Sequence, residues 1–272
     1  MNLWGAGLDA RPGKVPERAG FKKGFGVVAR VGIDGRKQLA ALLFEPGMRP
    51  DIEALSRVAA TGRYSLSMRP DPAHGWVELF RDGLTFDLAG LAPSPPVAAP
   101  AIQHRYGLGE GLQESGLEAL GLLPGPHLAG AEGLLPVVRV AAELLIELST
   151  LPGVAGIAWL AAENLVAPEW FERSVKGWLD NGPFAAFALV SLARQDDLIV
   201  SQGLKLLTGQ EFTLAAAPGT ELTGAAMGTA VRLLDWLVAH GKLSQNRVVE
   251  LVGTGPVELI IKDKSGIAAR CS

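Results

Sequence analysis

Cysteine is almost absent from this chain. Cys271 is the one thiol among 272 residues, so no intrachain disulfide can form, and a reducing cytoplasm is the compartment expected. Histidine is scarce as well. His74, His104, His127 and His240 stand far apart, and no two are separated by three or four residues. Without a paired Cys/His motif a locally encoded zinc site is excluded, and neither a metal nor a cofactor is expected. Long apolar runs are missing too: the longest uncharged one, Phe184 to Ala193, is about half of the roughly 20 residues a membrane-spanning helix needs. No membrane association is therefore expected. The opening MNLWGAGLDARPGKVPERAG has no apolar core behind its first charges, so it does not read as a secretory signal.

Catalytic fingerprints are missing in the same way. Val200-Ser201-Gln202-Gly203 lacks the leading glycine of a nucleophile elbow, which leaves Ser201 a turn serine. Gly107-Leu108-Gly109-Glu110-Gly111 is not a dinucleotide-binding GxGxxG, and Gly253-Thr254-Gly255 has no phosphate-loop lysine. The basic residues between Arg11 and Lys37 sit among Gly and Pro, the pattern of a solvated arm, which argues against a nucleic-acid partner.

What is present is apolar. Hydrophobic residues make up 48% of the chain and charged residues 19%, with a mean hydropathy of +0.24, enough to bury a sizeable core and to exclude general disorder. The net charge of −3 is uneven. Residues 1–100 carry 13 Lys/Arg against 10 Asp/Glu, residues 101–200 carry 5 against 12, and the remainder 7 against 6. The middle is thus the acidic part.

Periodicity gives an α+β reading, with mixed, mostly antiparallel sheets packed with helices in two lobes. FGVVARVG and KQLAALLFEP alternate like strands around the hairpin pair Asp34-Gly35. Asp51 caps a helix with Ile52, Leu55, Val58 and Ala59 on one face, closed by Gly62. YSLSMRP, WVELF and LTFDLAGL follow as strands, the last two joined at Arg81-Asp82-Gly83. Residues 92–100, APSPPVAAP, read as an extended linker. The expected organisation is an arm over 1–23, a small lobe over 24–91, a linker over 92–104 and a larger domain over 105–272. Within that domain the spacing predicts a short helix over Leu112–Leu120 and a longer one over Leu134–Leu151, with Pro136 in its first turn. AGIAWLA predicts a buried strand, and Pro168 opens a helix to Leu179. FALVSLARQ and DLIVSQG form a hairpin, EFTLAA a strand, Thr223–His240 a helix, and VVELV with VELIIKD a closing hairpin. LEALGLLPGPHLAGA and LKLLTGQEFTLAA share spacing, a faint sign of internal duplication.

GIAWLAAENLVAPEWF and SQGLKLLTGQEFTLA carry a resemblance. Over roughly Gly133 to Asp263 the chain resembles an uncharacterised bacterial family, domain-of-unknown-function family 4261. That resemblance implies an α+β domain and supplies no activity.

Dispersed groups remain as site candidates. Glu163, Glu169, Glu172 and Glu211 come together if the Ala155 strand and the Glu211 strand share a sheet edge, and paired carboxylates do acid/base work or hold a cation. His104 beside Arg105 and Tyr106 is a second polar cluster. Surface solvation accounts for the carboxylates equally well. Trp170 and Trp178 fall at helix-core positions, and His240 ends a helix, where the dipole favours a cation. The expected function is a non-enzymatic protein-interaction or self-assembling module, with a protein partner or a homo-oligomer as its associate. The alternative is a hydrolase whose dispersed catalytic set is Glu163, Glu169, Glu211 and His104.

Overall fold

The computed structural model describes residues 36–67, 75–112, 115–216 and 224–271. The FGVVARVG run, the Asp34-Gly35 turn, the arm and His74 lie outside the described residues. The elements in chain order are β1 (Ala40–Phe44), α1 (Ile52–Ala59), β2 (Ser65–Leu66), β3 (Trp76–Arg81), β4 (Leu84–Ala89), β5 (His104–Tyr106), β6 (Glu118–Pro124), α2 (Leu135–Leu148), β7 (Val154–Trp159), β8 (Asn164–Val166), α3 (Pro168–Leu179), β9 (Ser191–Gln195), β10 (Leu198–Gln202), α4 (Leu204–Thr208), β11 (Glu211–Ala215), α5 (Gly224–His240), β12 (Arg247–Leu251), β13 (Gly255–Asp263) and β14 (Gly266–Cys271). The class is α+β, as the periodicity indicates.

Eight strands form a first sheet in the order β2-β3-β4-β6-β1-β7-β8-β5, and six form a second in the order β12-β13-β14-β11-β10-β9. Each is antiparallel but for one pair, β5 with β8 in the first and β11 with β14 in the second. One contiguous apolar cluster joins a face of each sheet to α2, α3 and α5. It contains Leu42, Leu88 and Ile157 from the first sheet, and Phe212, Leu214 and Leu259 from the second.

Local chemistry explains most boundaries. The Asp51 carboxylate accepts the Ala54 N–H at 2.8 Å and starts α1. Pro136 and Pro168 occupy first-turn positions, where the missing N–H costs nothing. α2 then buries Val137, Val138, Ala141, Leu144, Leu145 and Leu148. Its outer turns hold the buried Arg81 of β3 through Glu143 and Glu147, four residues apart. Asp82 and Gly83 both have positive φ (48° and 81°), the two-residue turn that matches hairpin twist.

Three expectations are corrected. The predicted helix over Leu112–Leu120 is overturned, because the described part of that run leads into the strand β6. EALGLLP is buried on both faces between β4 and β1, so it shows neither a period of two nor of 3.6, and neighbours decide its state. The split into two lobes at residues 92–104 also fails. β1 and β4, before that segment, pair with β6 after it, and β1 pairs with β7. The proline-rich segment packs as a strap over the sheet's other face. There Val97, Ile102, Leu108 and Leu112 cover a second cluster of Ala41, Leu43, Ala119, Ala158, Leu160 and Leu165. Its backbone is anchored by Val97 N–H to Ala119 O at 3.1 Å and by Arg49, whose Nη1 reaches Ser94 O at 2.9 Å. Finally, β14 follows the expected closing hairpin as a further strand, and it is the one that links β13 to β11. The proposed internal echo gives unlike elements: β6 and a turn in one copy, α4 and β11 in the other.

Candidate functional site

Three of the four candidate residues flank the place where the two sheets meet, near the ends of β5, β8 and β10, each bonded to its own partners. His104 stands at the edge of the first sheet, and its Nε2 donates to Gln202 Oε1 of β10 at 3.0 Å. Ser191 Oγ of β9 donates to Ala162 O at 2.9 Å. Gly203, with φ at 100°, brings the second sheet so close that an added Cβ would sit 3.0 Å from Ala162 Cα. Side chains of the second sheet thus bond groups of the first across this joint.

Glu211 holds the β10 side of the joint. Its carboxylate accepts Ser201 Oγ at 2.6 Å, Gly203 N–H at 2.8 Å and Lys205 N–H at 3.0 Å. Ser201 Oγ in turn accepts the Phe212 N–H at 2.8 Å. The carboxylate therefore satisfies orphan donors at the start of the short helix α4, a capping role. Glu163 holds the other side. It has φ 47° and ψ 40° at the end of the Leu160–Ala162 turn. Its carbonyl accepts the N–H of Gln103 at 2.7 Å and of His104 at 3.1 Å, and its carboxylate accepts from the Gln103 amide.

The carboxylate group does not gather. Glu172 pairs with Lys176 at 2.5 Å on the surface of α3. Glu169 is exposed and rims, with Glu110, a wide open depression of about 370 Å3 floored by Leu108, Leu112, Val154 and Pro168. A narrower depression of about 130 Å3 lies at the start of α1 between Ile52, Trp76 and Pro93. Neither contains His104, Glu163 or Glu211. Among the described residues no three His, Cys, Asp or Glu side chains are grouped as metal ligands. No described helix is long and apolar enough to cross a membrane.

Sequence reasoning missed the residue at the centre of the joint. Asn164 is fully buried. Its Oδ1 accepts the Trp159 N–H at 3.0 Å, and its Nδ2 donates to Phe187 O at 2.7 Å and Ala188 O at 3.1 Å. Those bonds hold Phe187 at φ 64°, a region where a bulky side chain is strained. Phe187 in turn packs on Tyr106 and Trp170, at ring separations of 5.1 and 6.2 Å. Burial pushes the Tyr106 phenol above its ordinary range, partly offset by hydrogen bonding with the Ser191 side chain and the Leu192 backbone. The one available signal was an amide in an apolar stretch, ENLV, which demands internal partners once buried.

Comparison of the chain with protein-family models, with curated proteins and with solved structures finds no match.

Proposed function

We propose that this protein works as a protein-interaction or self-assembling module and that its polar joint is structural. The observation that carries the reading is the outer face of the second sheet. There Ala193, Val200, Thr213, Ala268 and Ile260 form an uncharged, half-exposed row across five strands. A sheet face that meets only water is lined with polar side chains, and this row carries none but Thr213.

The hydrolase alternative is less well supported. A catalytic carboxylate or imidazole needs an open approach to substrate. Glu211 is already engaged by three donors, and His104 is tied to Gln202 across the joint. The likeness of Gly133–Asp263 to family 4261 stays a proposal of kinship. Members of that family that fail to align over GIAWLAAENLVAPEWF would remove it.

Light scattering on purified protein, together with chemical cross-linking in the producing cells, tests the reading. A mass above 28.5 kDa, or a specific cross-linked adduct, is the expected outcome. A particle that stays at the monomer mass and gives no adduct eliminates the module. Turnover of an ester or glycoside that disappears in a folded His104→Ala variant would instead establish the hydrolase.

A further inference from the structure

The outer face of the second sheet carries more than an apolar row. Strand register places Val248 opposite Glu258, Glu258 opposite Arg270, and Arg270 beside Ala215. One residue pair along the strands, Ile260 stands opposite Ala268, which stands beside Thr213. Ala193, Val200, Ala215, Ile260 and Ala268 neither belong to nor pack against the two buried clusters of the described residues. Val248 is 60% exposed at the sheet margin. Glu258 and Arg270 are exposed, and among the described residues no ion pair joins them.

These residues are antisymmetric about the line between β13 and β14. On one side lie Val248, Glu258 and Ile260; on the other lie Ala215, Arg270 and Ala268. A large residue mirrors a small one twice, and a negative charge mirrors a positive one. That is the pattern a two-fold axis along this line requires, because rotation lays β13 of one copy over β14 of the other. Glu258 then meets the partner's Arg270, Ile260 meets the partner's Ala268, and Val248 meets the partner's Ala215. A partner of unrelated sequence needs no such antisymmetry.

We infer that this face binds a second copy of the chain, sheet on sheet, about an axis between β13 and β14. The inference rests on the module reading and names its partner. Small residues at Ala215 and Ala268 let the sheets approach to the roughly 10 Å separation of packed sheets. The overlap spans β12, β13, β14 and β11. At strand spacings of about 4.8 Å and rises of about 3.4 Å per residue its footprint is on the order of 300 Å2 per copy. A standard interface buries roughly 800 Å2 per partner. The dimer is therefore weak and reversible, and the crossed Glu258–Arg270 pairs set its orientation more than its strength.

Sedimentation velocity over a concentration series tests this on four chains besides the wild type. Ala268→Arg fills the seat of Ile260 and adds charge at an outward position, so the dissociation constant rises at least about tenfold. Glu258→Arg weakens the dimer through like charges, and the double variant Glu258→Arg, Arg270→Glu restores it. Ala193→Arg, on the same face but outside the overlap, leaves it unchanged. Circular dichroism melts show that each variant is folded. A wild type that stays monomeric at every concentration overturns the inference, while the module reading is then judged by cross-linking to another protein. Self-association that is indifferent to Ala268→Arg also overturns it and leaves the module reading in place.

Discussion

Glu211 shows how a residue chosen for its chemistry turns out to act on the backbone. Its two oxygens receive a hydroxyl and two N–H groups from residues 201–205. Glu211→Ala leaves those donors without an acceptor, so stability falls by about 2–3 kcal/mol. Chemical denaturation measures the loss, and an unchanged midpoint would refute the capping role. Tyr64 gives a pH prediction. Burial, then the nearby Glu147 charge, raises its phenol well above the ordinary value. An unfolded phenol ionises near pH ~10, so folding is favoured fully below that pH and progressively less as pH rises beyond it. Urea midpoints measured between about pH 9 and about pH 11 fall in the wild type and fall less steeply in Tyr64→Phe, where the raised Tyr106 phenol still contributes. An equal slope in both chains would locate the alkaline loss elsewhere. Glu211 was legible as a carboxylate of interest because it opens the strand EFTLAA, which would join Glu163, Glu169 and Glu172 if the Ala155 strand lay in the same sheet. That its partners were donors ten residues away or fewer was not legible, since only the fold of α4 brings them round.

At the scale of elements, the joint depends on one close approach. Gly203 has φ 100°, and an added Cβ would sit 3.0 Å from Ala162 Cα, so the Ala162 backbone would have to give way. Gly203→Ala therefore costs about 2 kcal/mol or more, and it weakens the Gln202–His104 contact with it. The histidine Nε2 resonance reports that contact by NMR. A variant with wild-type stability and an unshifted His104 signal would mean that α4 tolerates a different backbone. The helices were legible where a cap or a proline fixed the first turn, as at Asp51, Pro136 and Pro168. β6 was illegible for the opposite reason, since a run buried on both faces carries no period.

At the scale of the molecule, strands from both sides of the 92–104 strap share the first sheet, and one apolar cluster spans both sheets. Heat unfolding should accordingly show one cooperative transition with equal calorimetric and van't Hoff enthalpies. A protease nick within the strap should not release a folded fragment over 105–272. Two resolved transitions, or such a fragment, would reinstate separate lobes. Four prolines in nine residues gave a composition of linker type, and composition does not say whether an extended segment crosses solvent or lies on a sheet.

The sequence by itself determined the α+β class, the caps and turns that bound most helices and hairpins, and the absence of any local catalytic or metal motif. Those properties arise from neighbours within a few residues, and they survive without knowledge of the rest. Tertiary structure decided that β6 is a strand and that the proline-rich segment is a strap. It also decided that Asn164 is a buried hub and that Glu163, Glu211 and His104 close a joint between two sheets. Each of these depends on partners far apart in the chain, whose meeting is set by burial and strand register.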